Sequence, residues 1–481
     1  MTQKPIIVWF RQELRLSDHP ALTAAVQAGA PVICLYVRDD VTPGSWADGS
    51  TSRWWLHHSL KSLAADLAAK GGQFTLRQGE SAETLEAVIA ETGAGAVYFT
   101  RGHAPWSAAL ESRVKAMCEK AKVDCRRFGG FLLFEPEDIR NGSGQPYKVY
   151  TPFSRFCFAA PAPRFPKPAP DRIAGVKLAS DRLESWNLLP TKPDWSQGFT
   201  QWQPGEAGAQ ARLASFLDLR IGIYGEQRNF PAVVATSGLS PHLHFGEISP
   251  NQAWHAAKAA IAASSGRLDK SGEVFLKEVL WREFSYHLLH HWPELPEKPF
   301  KPEYANFPWA TDPEGLKAWQ HGLTGYPIVD AGMRELWQTG TMHNRVRMIT
   351  ASFLIKDLLV PWQEGERWFW DTLVDADIGA NAASWQWVAG CGADASPYFR
   401  IFNPVLQGEK FDPDGDYVRR FVPELAKLPT AFIHKPWEAP ALMLRQAGVA
   451  LGKNYPDRII DHAFARDRAL AGLKQLKAVA G

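Results

Sequence analysis

Three groups of side chains have types and spacings that could do chemistry. Glu278, Trp281 and Arg282 stand at i, i+3 and i+4 within a stretch of helical periodicity, residues 273–291, so they share one helix face. Leu276, Leu280 and Phe284 form the apolar core face opposite. The ordinary reading of the first set is a solvated face with a Glu–Arg pair. An indole is out of place there. A carboxylate, an indole and a guanidinium side by side could instead line a cavity for an aromatic, anionic ligand. In the second group, Tyr224 precedes Thr236-Ser237-Gly238-Leu239-Ser240, hydroxyls around a glycine that run into a helix started by Pro241. Backbone N–H groups and hydroxyls at such a place suit a phosphate, although simple helix capping gives the same pattern. In the third, Asn344, Arg347 and Met348 at i, i+3 and i+4 lead into the apolar run 349–355. A guanidinium on a helix that must be buried needs an anion, such as Asp375 or a phosphate.

Asp375, Asp377 and Asn381 lie shortly before Trp385-Gln386-Trp387. Two carboxylates two apart could ligate a metal, but a hard cation wants more oxygen donors. His287, His290 and His291 lack a cysteine or acidic partner at zinc spacing. No metal is expected.

These residues need elements to hold them. Short apolar runs at 6–10, 32–37, 74–76, 96–100 and 123–128 read as strands. They alternate with amphipathic helical patterns at 52–70, 82–91 and 107–122. Such βαβ alternation predicts a doubly wound parallel sheet. No G-x-G-x-x-G follows the first strand, which disfavours a nicotinamide site. From 159 to 170 the chain is rich in proline and cannot continue a helix or a central strand. Residues 133–204 therefore read as an extended surface connector. Beyond 205 the pattern is helical throughout. Ser240-Pro241 and Ser249-Pro250 mark helix starts, and Gly266 and Gly340 mark ends. The expectation is an α/β domain over 1–132, a connector over 133–204 and an all-α domain over 205–481.

Composition narrows the function. The chain has 481 residues and a formal charge of +2, so any nucleic-acid footprint must be local. No apolar run approaches the ~18 residues that span a bilayer. Five cysteines without a C-x-x-C pair suggest free thiols in a reducing cytoplasm. Tryptophan is abundant, at 20 against 11 tyrosines. Leucine fills a core without an N–H to satisfy, so some indoles are expected to serve beyond packing.

The residues also carry a likeness. The opening Trp9-Phe10-Arg11-Gln12-Glu13-Leu14-Arg15-Leu16-Ser17-Asp18-His19-Pro20-Ala21-Leu22 resembles that of the DNA photolyase/cryptochrome family. Residues 325–334, 342–348, 375–387 and 397–404 resemble its flavin-domain signature, in family order along nearly the whole chain. The resemblance implies an α/β antenna domain, a connector and a helical domain holding FAD. It places Tyr224, Thr236, Ser237, Gly238, Leu239 and Ser240 around the FAD diphosphate, with Arg282, Asn344, Arg347, Asp375, Asp377 and Asn381 completing the cofactor set. Arg347 and Asp375 would pair beside the flavin, Asp377 would touch its ring edge, and Asn381 would face N5 as in photolyases. Glu278, Trp281, Asn344, Met348 and Trp387 fall on the lesion pocket, with Arg345 and Arg400 near the DNA backbone. Trp385, Trp362 and Trp309 match the relay that photoreduces the flavin, and Trp368, Trp370 and Trp387 offer a side branch.

The implied function is blue-light-driven repair of cyclobutane pyrimidine dimers in UV-damaged DNA, by an electron from reduced FAD. Glu278, Asn344 and Asn381 would be the catalytic residues. The alternative is a cryptochrome-type photoreceptor that signals through a partner. Asn381, and a chain ending at Gly481 without a long tail, count against that reading. A dark flavin oxidoreductase would lack its nicotinamide site. Arg53-Trp54-Trp55-Leu56 looks closest to the plant-cryptochrome-like, class III branch. A methenyltetrahydrofolate antenna is expected, with Trp46, Trp54 and Trp55 as flat surfaces for it. The Asn-Glu pair that anchors folate in some relatives aligns here with Trp106-Ser107.

Overall fold

In β1 (Ile6–Phe10) every residue is apolar and every residue is buried, which requires cover on both faces. The structure, a computed structural model, describes residues 3–394 and 399–480, so Pro397 and Tyr398 of the 397–404 motif lie outside it. β1 sits at the centre of a five-stranded parallel sheet ordered β3-β2-β1-β4-β5, with β2 (Val32–Arg38), β3 (Phe74–Gln78), β4 (Ala96–Thr100) and β5 (Asp124–Phe128). Side chains alternate across a strand. Ile6, Val8 and Phe10 pack against α1 (Pro20–Gln27) and α2 (Ser50–Ala69). Ile7 and Trp9 pack against α3 (Ser81–Thr92) and α4 (Ser107–Ala121). The expected double winding is thus present. α1 has no counterpart in the sequence reading; its eight residues are mostly alanine and β-branched, and its cap is His19, whose ring accepts from Leu22 N–H at 3.2 Å. β5 is an edge strand that Arg126 and Arg127 keep charged.

The connector is less extended than expected. Its proline-rich stretch has no helix or strand and is mostly exposed, but α5 (Tyr150–Ala159) precedes it and packs against α10. The helical half then runs α6 (Glu206–Leu219), α7 (Ile221–Gln227), α8 (Ser240–His244), α9 (Pro250–Ala263), α10 (Asp269–His291), α11 (Pro313–Gln320), α12 (Pro327–Thr339) and α13 (Asn344–Ser352). It continues with α14 (Trp362–Thr372), α15 (Ile378–Ala389), α16 (Pro404–Phe411), α17 (Asp416–Phe421), α18 (Ala441–Ala447) and α19 (His462–Ala480). Ser249 caps α9 in a full capping box with Gln252, and Gly340 ends α12 in the left-handed conformation at φ 69°. Two readings need correction. Ser240 is the first residue of α8 rather than its cap, and Gly266 lies two residues past the α9 cap, Ser264. The run 349–355 is buried as expected and passes into a π-helical turn, Phe353–Asp357.

The two halves are fastened by carboxylates. Glu247, fully buried, accepts from Trp55 Nε1 at 3.0 Å, from Gly205 N–H at 2.6 Å, and bonds His242. Glu283 accepts from Leu133 and Phe134 N–H, and Asp18 binds Arg164, Ser249 and Lys167 N–H. All five cysteines are free. Among the described residues no helix is long and apolar enough to cross a membrane.

Candidate active site

α8, α13 and α15 bring the phosphate-suited run and the charged residues together. Arg347, on α13, donates from Nη2 to both Asp375 oxygens, at 2.9 and 3.0 Å, and from Nε to Met342 O at 2.8 Å. The anion that this helix needs is therefore Asp375. Ser240 donates to Asp375 Oδ2 at 2.6 Å, tying α8 to the same carboxylate. α8 has five residues, too few for a useful dipole, so any phosphate binding here rests on the hydroxyls and N–H groups themselves. Asp377 caps α15 through Ala380 N–H and accepts from Tyr286 Oη at 2.6 Å, with His244 Nδ1 at 3.7 Å. Burial alone would raise the Asp377 carboxyl. The nearby His244 ring, the Arg282 charge and the Tyr286 hydrogen bond outweigh it and hold the group below its usual range.

Asn381, buried on α15, donates from Nδ2 to Glu366 O at 3.0 Å. Both carboxylate oxygens of Glu366 are buried without a partner, and burial pushes this acid well above its usual range. Arg282 packs over the Phe131 and Tyr286 rings and donates to Phe131 O, while its Nε and Nη2 are buried and unpaired. A buried guanidinium with two spare N–H groups fits an acceptor-rich ligand.

The α10 face departs from its expected pairing. Glu278 does not pair with Arg282; its partner is Arg228, just after α7. The i, i+4 spacing sets neighbours, not which way the side chains turn. Trp281 lies flat against Tyr150, with ring centroids 3.6 Å apart and planes 6° apart. Arg345 bonds Asn229 Oδ1 at 2.7 Å and reaches Met348 Sδ at 3.6 Å. Burial first, then the Arg400 and Arg228 charges, lower the Arg345 pKa. Asn344 is exposed at the start of α13.

Trp385 and Trp362 are buried, while Trp309 is half-buried against Phe307 at 4.4 Å. Gly365 admits the Trp385 ring so closely that a Cβ there would stand 2.1 Å from it. Trp319, absent from the sequence reading, lies 6.3 Å from Trp385. Trp370 contacts Trp46 at 5.3 Å, Trp368 stacks on Trp337, and Trp387 packs on the main helical core.

A cavity of about 160 Å³ opens at the carboxyl ends of β1 and β2. It lies where the strand order reverses, the usual ligand crevice of an open parallel sheet. Trp9, Arg11, Tyr36, Arg38 and Trp106 line it, with His244 from α8. Trp54 and Trp55 offer no free surface, a correction: Trp55 is fully buried under Phe245 and Trp54 packs on Phe199.

A family model described as the FAD binding domain of DNA photolyase matches residues 275–475, and one described as DNA photolyase matches 6–171. The chain is 52% identical over 478 residues to the deoxyribodipyrimidine photo-lyase of Agrobacterium fabrum, covering 98% of each. It is 38% identical to Cryptochrome-1 of Arabidopsis thaliana, over 98% of this chain and 71% of that one. A solved bacterial class III photolyase from Agrobacterium tumefaciens matches at 52% identity and TM-score 0.95, covering 99% of this chain and 98% of that one. The chain belongs to the DNA photolyase family.

Its helical half is accordingly a FAD-binding domain, and the residues just described fit that group. The spare Arg282 N–H groups, the hydroxyl run and the Arg347–Asp375 pair supply donors, charge and hydrogen-bonding edges. This photolyase-family site also contains residues that the sequence reading missed. Arg228 had a local signal, since it follows Tyr224 by four and lies over its ring at 5.3 Å. Glu366 and Tyr150 had none, being 15 and 131 positions from their partners Asn381 and Trp281.

Asp375→Asn is expected to weaken FAD retention about tenfold, as Arg347 and Ser240 lose a charged acceptor worth roughly 1.5–3 kcal/mol. Flavin fluorescence released on dilution checks this. Unchanged retention would make the pair purely structural.

Proposed function

We propose that this protein repairs cyclobutane pyrimidine dimers in UV-damaged DNA with blue light. The observation that carries the reading is the 52% identity, over 98% of each chain, to a deoxyribodipyrimidine photo-lyase. Bound, fully reduced FAD would supply a photoexcited electron for splitting the dimer. Everything else falls to the chain. Tyr224, Thr236–Ser240, Arg282, Arg347, Asp375, Asp377 and Asn381 hold and orient the flavin, with Asn344 at the mouth. Trp281, Trp387 and Met348 form an apolar cleft for the dimer, which leaves the duplex as in other enzymes that act on bases. Arg345 and Arg400 hold phosphates, and folding supports this by gathering them with Arg228.

Glu278 stabilises the charge that develops on the dimer. In the protein alone it is committed to Arg228. A DNA phosphate competes for Arg228, and its capture frees Glu278, which on taking up a proton can donate to a dimer carbonyl. The photoreceptor reading draws on the 38% identity to a cryptochrome. Repair is favoured by the higher identity to the photolyase and by Asn381.

Trp385, Trp362 and Trp309 are assigned to photoreduction of oxidised flavin. A folate antenna is assigned to the crevice beside β1, where Trp106 offers a flat ring. About 160 Å³ is below the ~300 Å³ of a pocket that encloses a drug-sized ligand, so only part of a folate would be enclosed. The free thiols support a reducing, cytoplasmic setting.

Blue light should restore a thymine-dimer oligonucleotide and leave a 6-4 photoproduct oligonucleotide unrepaired; no dimer repair would overturn the reading. Glu278→Ala should keep FAD and bind dimer DNA but repair with several-fold lower quantum yield, and an unchanged yield would remove Glu278 from the chemistry. Trp385→Phe should slow flavin photoreduction by at least tenfold, because phenylalanine is a poor one-electron donor, while chemically reduced enzyme repairs normally. Wild-type photoreduction in that variant would sink the relay. After reconstitution with folate, near-ultraviolet absorbance should exceed what FAD explains; a spectrum of FAD alone would exclude the folate antenna.

A further inference from the structure

We propose that Tyr150 is a positioning residue for lesion recognition, backing Trp281 so that the indole presents one fixed, flat face to the extruded dimer. The proposal rests on the reading above that Trp281 lines the lesion cleft. Aromatic pairs commonly sit 4.5–7 Å apart in offset or edge-on arrangements. The Tyr150–Trp281 pair, at 3.6 Å and 6°, is a near face-to-face overlap. Such an arrangement needs outside support, and Tyr150 has it at both ends. Its hydroxyl donates to Lys277 O at 2.6 Å, one turn before Trp281 on the same helix. Its backbone N–H donates to Asp394 Oδ2 at 3.0 Å. Tyr150 is 8% exposed, and its ring meets Phe284 edge-on at 5.9 Å. Burial and the Glu278 charge push the hydroxyl upward, so it stays a neutral donor.

Trp281 is half-buried, with one face of its indole covered by Tyr150 and Phe284 edge-on to it at 5.9 Å. An unsupported indole at a helix surface samples several rotamers and loses that freedom when a ligand stacks on it. Held by Tyr150, Trp281 has already lost it on folding, so the cost does not fall on binding. The benefit reaches only DNA that places a base in the cleft. Undamaged duplex, held through phosphates, gains nothing from it. Tyr150 thus acts on selectivity through Trp281 and touches no reacting atom.

The test measures binding of a thymine-dimer duplex and the same undamaged duplex to FAD-loaded protein. Tyr150→Leu should weaken dimer binding about three- to tenfold while leaving undamaged binding and FAD content unchanged. Tyr150→Phe, which keeps the ring and the Asp394 tether but loses the bond to Lys277 O, should lose clearly less than Tyr150→Leu. In a Trp281→Ala background, Tyr150→Leu should add no further loss, since the coupling has gone. Equal loss for both duplexes, or a full additional loss without Trp281, would overturn the proposal. If the leucine variant cannot hold FAD, Tyr150→Met, which fills the volume without a flat face, takes its place under the same criteria. Wild-type protein that fails to prefer dimer DNA would overturn the cleft reading together with the proposal. A wild-type preference that Tyr150→Leu leaves intact would overturn the proposal alone.

Discussion

Glu247 is a carboxylate with no water to solvate it, and its partners come from opposite sides of the molecule. Removing a charge from water is costly unless hydrogen bonds replace the hydration. Here Trp55 of α2, Gly205 ahead of α6 and His242 of α8 supply them. The penalty of leaving Glu247 unmatched singles out one docking of the sheet half on the helical half. It also fixes α8, because His242 is two residues from Ser240 and from His244. Those neighbours reach Asp375 and Asp377, so the geometry of the residues proposed to hold the cofactor depends on a contact made outside their site. Glu283 extends the same logic: Leu133 and Phe134 bind it from the connector, and the adjacent Arg282 is held where two of its N–H groups stay free.

What the sequence made legible follows from which forces are local. β1 and β4 read to the residue because a strand covered on both faces is an apolar run, interrupted in β4 only by its terminal Thr100. The connector helix α5 went unseen because proline dominates the segment that follows it. The helix exists because Phe153 and Cys157 find cover in the α10 face, a partner more than a hundred residues away. Arg347 was legible as a cation in need of an anion, since burial and charge conflict within one helix. The partner of Glu278 was not, because an exposed-looking Arg282 at i+4 is an equally good local answer. Trp54 and Trp55 looked available for a chromophore for a related reason: α2 is buried on two sides, against the sheet and against the helical half, and only tertiary structure supplies the second.

The same distinction sorts the indoles. Trp55, Trp202, Trp319 and Trp370 each donate their N–H to a carboxylate or carbonyl at 2.9–3.0 Å. Each is explained by packing plus a satisfied donor, and abundance alone assigns none of them a further role. Trp319 shows that satisfaction does not exclude one, being 6.3 Å from Trp385. Proximity of rings, not count, is the structural warrant for an electron path.

Charge is the remaining constraint, because under the proposed function a protein with a net charge of +2 would have to hold a polyanion. Burial first, and then the Arg400 and Arg228 charges, lower the Arg345 pKa, so part of that shift is the cost of like charges brought near it. Such a cluster is favourable only when an anion binds it, so long-range attraction is confined to the face that needs it. Under the proposed function, Arg228 adds selectivity. Any duplex that takes its guanidinium breaks the pair with Glu278, at a cost of about 1 kcal/mol for a pair this exposed. A dimer offers Glu278 a new partner, whereas undamaged DNA leaves it with water alone. Discrimination then arises from a contact that the wrong substrate destroys and cannot replace.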